Sequence, residues 1–188
     1  MNTFKLAVLL GSGLALGAAP ALALQTSVTQ VDKNADGTMT YHFAIKLDQG
    51  ETLNPAQGKS PADFITVYNF FGFVDQSAKS PAGWEFSSEE FGRTPTLNGY
   101  PLVLPVDLPN TPNLTWTVTK AIAAGGQIDG FTATTQVGTS VQGEYSAQAT
   151  RKAATTTTPT GMTPVAAVET KQALIGLLPT PSFLANVK

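Results

Sequence analysis

The chain has 188 residues, with 11 Lys and Arg against 13 Asp and Glu, a formal charge of −2. Charges of both signs are few and scattered, with no basic stripe, so nucleic acid is not expected as a partner. With no cysteine and one histidine, disulfides, thiol nucleophiles, thiolate metal sites and multi-histidine metal centres within one chain are excluded, and no cofactor is expected.

The amino terminus reads as a secretory signal. Lys5 supplies the positive region, residues 6–19 are apolar and interrupted by small residues, and Ala21-Leu22-Ala23 has the small-x-small pattern of a cleavage site. The expectation is a signal peptide at 1–23 and a mature chain starting at Leu24. Losing Lys5 takes the charge from −2 to −3. The apolar run is short for a spanning helix and contains Gly and Pro, so no membrane span is expected once the signal is removed. The expected location is secreted, extracellular or periplasmic. The rest is one domain's length, able to bury a sizeable core. Low charge and abundant Thr, Gly and Pro point to an all-β class, held by burial and sheet hydrogen bonds.

Residues 26–31 form a first strand candidate carrying Val28 and Val31. Asp32 to Gly37 is a turn. Residues 38–47 alternate most cleanly: Met39, Tyr41, Phe43, Ile45 and Leu47 share one face and Thr40, His42, Ala44 and Lys46 the other. This predicts a half-buried antiparallel strand in a hairpin with its predecessor. Residues 48–61 read as a polar loop.

The densest aromatic and β-branched cluster is Phe64-Ile65-Thr66-Val67-Tyr68-Asn69-Phe70-Phe71-Gly72-Phe73. As a strand over 64–71 it is largely apolar on both faces, so it is either covered on both sides or presents a binding surface. Trp84 to Phe86 reads as a short strand or packed loop. Residues 91–112, rich in Pro, Gly and Asn, read as a long irregular connection with Tyr100, Leu102, Val103, Leu104 and Val106 tucked against the sheet edge. Residues 114–119 alternate, with Leu114, Trp116 and Val118 inward and threonines outward. Residues 127–135 carry Ile128, Phe131 and Ala133, with a bulge predicted at Gly130. Residues 140–150 alternate through Val141, Gly143, Tyr145, Ala147 and Ala149.

From residue 151 the composition shifts to Thr and Pro, as in a low-complexity linker. Beyond it Thr163-Pro164 could cap a weak helix bearing Val165, Val168, Ile175 and Leu178; the rival is a short extended segment over 173–178.

Tyr68, Phe70 and Trp84 are candidate ligand-binding residues, because rings held on a sheet face can stack on sugars; the competing reading places them in the core. Phe73, Tyr100 and Trp116 belong to the same wider set. Asp32, Asn34, Asp36 and Gly37 spell the start of an EF-hand loop, but position 12 falls on Phe43, so a hairpin turn is expected and no metal site is assigned. His42 is read as a surface residue. Glu85, Glu89 and Glu90 read as solvated charge; adjacent glutamates cannot form a glycosidase dyad, although Asp63, Asp75, Asp107 or Asp129 could contribute from distant loops. No catalytic residue is assigned. Asn113-Leu114-Thr115 matches the glycosylation pattern.

Three stretches carry a family resemblance: Phe64 to Val74, Pro81-Ala82-Gly83-Trp84-Glu85-Phe86-Ser87-Ser88, and Pro112-Asn113-Leu114-Thr115-Trp116-Thr117-Val118. Together they resemble uncharacterised exported bacterial β-sandwich proteins of the kind that often carry a PEP-CTERM sorting tail. The resemblance spans about residues 38–150. It implies a secreted β-sandwich of the cell surface or extracellular matrix, and lends no catalytic residue. The sequence has no Val-Pro-Glu-Pro, spanning apolar run or terminal basic cluster, so anchoring by that route is not expected.

The sequence therefore predicts a single antiparallel β-sandwich over 24–150 with a flexible carboxy-terminal extension at 151–188. The expected function is a non-catalytic, secreted structural or adhesive role, with polysaccharide or envelope and matrix components as candidate partners. The alternatives are a carbohydrate-binding module using exposed aromatics, or a hydrolase with carboxylates from distant loops.

Overall fold

In a computed structural model, residues 24–97, 100–101, 105–123, 125–152 and 169–183 are described. The predicted signal at 1–23 and most of the Thr-rich stretch lie outside them. Among the described residues the structure is all-β, with two principal antiparallel sheets and a small hairpin.

The first sheet follows the alternating pattern read from the sequence. Strand β1 (Gln25–Lys33) pairs with β2 (Met39–Leu47) in the predicted hairpin. Tyr41, Phe43, Ile45 and Leu47 are buried on one face of β2. The other edge of β2 takes β9 (Gly126–Thr135), giving the order β1-β2-β9. Phe43 pairs with Phe131 but Ile45 with Ile128, so β9 uses one residue more than β2. The bulge falls at Gly130, as predicted.

The larger sheet runs β11-β10-β4-β8-β5. Its members are β4 (Phe64–Val67), β5 (Trp84–Glu89), β8 (Asn113–Val118), β10 (Ser140–Lys152) and β11 (Glu169–Pro181), with β3 (Glu51–Thr52) pairing near the end of β10. Because β11 lines one edge of β10 throughout, β3 and β4 share the other. The hairpin is β6 (Thr96–Leu97) with β7 (Tyr100–Pro101).

Aromatic rings join the two principal sheets. Trp116 of β8 lies 5.6 Å from Phe43 of β2 and 5.8 Å from Phe131 of β9, centroid to centroid, and Trp84 of β5 meets Phe131 edge-on at 4.9 Å. Tyr41 packs edge-on against Phe70 at 5.5 Å. Edge-to-face contacts place the positive ring rim over the negative face, so this cluster contributes beyond its buried area. It replaces the covalent cross-links that a cysteine-free chain cannot make.

Several expectations need correction. The carboxy-terminal region is not wholly a flexible extension, nor is its second half a helix: residues 169–181 form β11, paired residue for residue with 140–152. Ile175 and Leu178, read as one helix face, are strand residues, and the domain does not end at residue 150. The pattern misled because apolar residues run almost continuously over 173–178, which suits a strand contacted on both faces as well as a helix. The strand over 64–71 ends at Val67, and Asn69 adopts φ 52°. The loop over 48–61 contains β3 and the fully buried Leu53. Val106 is 70 % exposed and not tucked against the sheet. Thr115 points away from the aromatic core yet is buried, hydrogen-bonded to Thr66 at 2.8 Å. Leu102, Val103, Leu104, Val165 and Val168 lie outside the described residues.

Replacing Trp116 with Ala is expected to lower stability by about 3–5 kcal/mol, the usual cost of emptying a large aromatic site. Urea denaturation followed by tyrosine fluorescence would measure it, and a loss under about 1 kcal/mol would contradict the central place given to this ring.

Candidate functional site

The predicted sugar platform does not exist as a surface. Tyr68 and Phe70 are 1 % and 0 % exposed, and Trp84 is 7 % exposed. Phe70 and Trp84 belong to the inter-sheet core. Tyr68 points to the opposite face of its segment, and that face is covered by the chain's own return. Its hydroxyl donates to the Arg93 carbonyl at 2.7 Å and pairs with Ser146 at 3.1 Å. Burial pushes the Tyr68 phenol above its ordinary pKa. The Arg93 guanidinium sits 5.1 Å from the Phe64 ring centroid and donates to Thr117 at 2.8 Å. Gly92 passes so close that a Cβ there would fall 2.2 Å from the Tyr68 ring. Both faces of Phe64 to Tyr68 are thus occupied from within the chain. The only local sequence hint was a glycine followed by the isolated Arg93.

Beyond β4 the backbone is held by side-chain amides. Asn113 accepts from the Asn69 amide at 2.9 Å and donates to the Glu90 carbonyl at 2.7 Å and to Asp107 at 2.9 Å. Asn69 in turn donates to the Val106 carbonyl at 2.6 Å and accepts from the Leu108 amide at 2.7 Å. Asn113 is fully buried, so the sequon nitrogen is committed inside the fold and is no glycan acceptor in the folded protein.

This network ties residues 106–108 to Asn69 and Asn113, and beside them lies a groove of about 380 Å³. Phe71, Val106, Leu108, Val141 and Leu177 give it an apolar lining, with Asn69, Gln142 and Glu144 at the polar margin. Leu177 is 58 % exposed, and Phe183, packed edge-on against Phe71 at 5.8 Å, is 65 % exposed. Exposed apolar side chains gathered in one hollow mark a contact surface more often than scattered ones do. The groove's sequence signal is hidden because the apolar run over 173–178 suits a weak helix as well as the short extended segment weighed against it.

The carboxylates fall into two groups. Glu85, Glu89 and Glu90 are exposed, as expected. Glu89 and Glu90 line a shallow hollow of about 280 Å³ with Asn110, Thr111 and Pro112, and no carboxylate from another segment is among its described lining. Asp75 and Asp129 are also exposed, and Asp107 is spent on Asn113. Asp63 and Glu51 are fully buried. Asp63 accepts from the Asn54 amide, from Thr150 at 2.8 Å and from Lys171 at 2.7 Å. Lys171 also donates to Thr150 at 2.9 Å. Here β11 is latched to the segment preceding β4. Burial raises the Asp63 carboxyl above the ordinary range, against the lowering effect of Lys171.

The EF-hand residues are spent within their hairpin. Asp36 caps Thr38, Asn34 donates to Thr38 and Thr40, and Gly37 sits at φ 88°. His42 bonds Asp32 at 2.8 Å on the surface. Among the described residues no group of three or more His, Asp or Glu is placed to hold a metal ion.

The chain matches no protein-family profile, no curated protein and no solved structure.

Lys171→Met is expected to cost roughly 3 kcal/mol at neutral pH, because it leaves a buried carboxylate without its cation. The Asp63 proton gives a second check. A carboxyl whose folded pKa is raised contributes stability present in acid, below its unfolded pKa, and lost as pH rises through the folded value. Wild type should therefore lose stability relative to Asp63→Asn over that window, measured as the difference between two urea-derived stability curves. A difference flat in pH contradicts the assignment.

Proposed function

We propose that this chain is an exported, non-catalytic β-sandwich with a structural or adhesive role at the cell surface. The export expectation rests on the amino-terminal pattern. The sandwich reading is supported by the ring contacts of Phe43 and Phe131 with Trp116 across the two sheets. The non-catalytic reading is supported by the structural ties of the buried carboxylates: Asp63 binds Lys171 and the Asn54 amide, and Glu51 stands beside Arg151 and binds the Asp48 amide. The carbohydrate-binding alternative loses its residues, because Tyr68, Phe70 and Trp84 are buried.

The observation that carries the structural role is the apolar margin along β11. Among the described strands none pairs with its outer edge. Residues 172–178, Gln-Ala-Leu-Ile-Gly-Leu-Leu, carry no charge. Natural edges are usually guarded by charge, proline or bulges; here Glu169 and Lys171 stand at one end and Pro179 and Pro181 at the other, leaving 172–178 without either. The occupant that fits is a second copy of the chain, its β11 added antiparallel so that one sheet continues into the next and the groove at Leu177 is covered.

Sedimentation velocity across a concentration series tests this, beside Leu177→Lys. Leu177 is exposed and lies opposite Glu144 on β10, so the variant keeps its fold and places a charge at the edge. Concentration-dependent assembly in wild type that is lost in a variant of unchanged Tm is expected. A wild type monomeric at every concentration, or assembly untouched by the substitution, overturns the reading.

A further inference from the structure

The buried carboxylate of Glu51 has an acceptor that the uncut chain does not fill. Glu51 is 0 % exposed, on the short strand β3. Its Oε2 accepts from the backbone nitrogen of Leu24 at 3.2 Å and from that of Asp48 at 3.0 Å. Its Oε1 is buried and has no hydrogen-bond partner; the nearest cation, Arg151 Nη2, lies 3.5 Å away. A buried oxygen without a partner is costly, and such cases call for a cause. Leu24 is itself fully buried and opens the described fold directly before β1. An amide at this position has a single hydrogen to give. An ammonium has three.

We propose that Glu51 is the binding site for the amino-terminal ammonium of a chain cut between Ala23 and Leu24. Hydrolysis breaks the Ala23–Leu24 amide bond, water supplying the hydroxyl of the new Ala23 carboxyl and the proton on the Leu24 amine. At neutral pH the amine takes a further proton. The ammonium stays where the amide nitrogen was, donates to Oε2 and has hydrogens left for Oε1. The hydrogen bond to Oε2 then joins an ammonium to a carboxylate, hence is shorter and stronger than one from a neutral amide. Arg151 alone leaves the carboxylate unevenly neutralised; with the ammonium present both oxygens face a cation. The proposal shares the expectation of a cut before Leu24 with the reading as an exported protein, but not the assembly through β11.

The arrangement makes the position of the cut matter. A chain starting one or two residues earlier presents Glu51 with an amide, which has one hydrogen to give in place of three. A chain starting later loses Leu24 from the core. The amine therefore ties β1, through Leu24, to β3 and to the end of β10, where Arg151 stands.

The test uses the full chain from Leu24 onward, released from a fusion so that Leu24 is the first residue. It is compared with the same chain carrying Gly-Ser before Leu24, and with Glu51→Gln in both backgrounds. The readouts are Tm and the rate of reductive methylation of the α-amine under native conditions, located by peptide mass spectrometry. The expected result is an α-amine at least about tenfold slower to label in the native protein than after unfolding. The Gly-Ser chain should label freely and melt several degrees lower. Glu51→Gln should lower Tm more in the Leu24-start chain than in the extended one. If Glu51→Gln fails to fold, the extended chain with Glu51 intact still decides the question through labelling and Tm. Native labelling of Leu24 as fast as in the unfolded chain overturns the proposal, as does a Gly-Ser chain of equal Tm. Amino-terminal sequencing of protein exported under its own leader is the remaining check; a start other than Leu24 also overturns it.

Discussion

Strand β10 is paired along both edges, and the rest of the larger sheet hangs from it. One edge carries β11 over thirteen consecutive residues, 140–152; the other carries β4 at Tyr145 to Gln148 and β3 at Thr150 and Arg151. Its side chains also reach outside the sheet. Tyr145 Oη accepts from the Thr26 amide of β1, Ser146 donates to the Arg93 carbonyl, and Thr150 donates to Asp63. Residues 145–150 are all buried. A strand so placed cannot alternate between core and water. Its small residues, Ala147 and Ala149, face the aromatic cluster, while its hydroxyls and the Gln148 amide are satisfied by the chain returning over the other face.

That returning chain covers the face of the sheet that carries Tyr68. Rings on an open sheet face are available to stack on a ligand. Here the inner face meets a second set of rings, and the outer face meets Gly92 and Arg93. The charge pattern follows the same logic. Asp63 and Glu51, the two buried carboxylates, sit beside Thr150 and Arg151 at the end of β10, each with its own cation. Glu51 binds the Leu24 amide at the amino end of the described fold, and Asp63 binds Lys171 of the carboxy-terminal strand. At the margin between β11 and residues 105–108, Leu177 and Val106 stand in water.

The inner layer was legible in the sequence because it obeys period two. Tyr41, Phe43, Ile45 and Leu47 on β2, Leu114, Trp116 and Val118 on β8, and the Gly130 bulge were all readable from alternation and turn chemistry. The all-β class followed from the same signals. Strand β4 posed a question that alternation cannot answer, since an apolar residue at every position reads alike whether its second cover is protein or ligand. The answer lay in Gly92 and Arg93, distant in sequence and silent in any local pattern. Strand β11 was missed for a related reason. Its apolar run fits a strand and a short helix equally well, and its identity is fixed only by register with β10. Glu51 falls in a stretch that reads as a polar loop, and Asp63 reads only as a carboxylate a distant loop could lend; their partners Arg151 and Lys171 both lie beyond residue 150.

The larger sheet, its buried Asp63–Lys171 pair and the groove at Leu177 all require β11 to be part of the folded domain. Native-state hydrogen exchange resolved to single amides is the most direct measurement. It compares the amides of residues 170–178 that bond to β10 with those of β10 that bond to β4. The account predicts protection in β11 of the same order as in β10, lost in one cooperative step with the rest of the sheet. Amides of β11 that exchange as in an unstructured tail while β10 stays protected would contradict it.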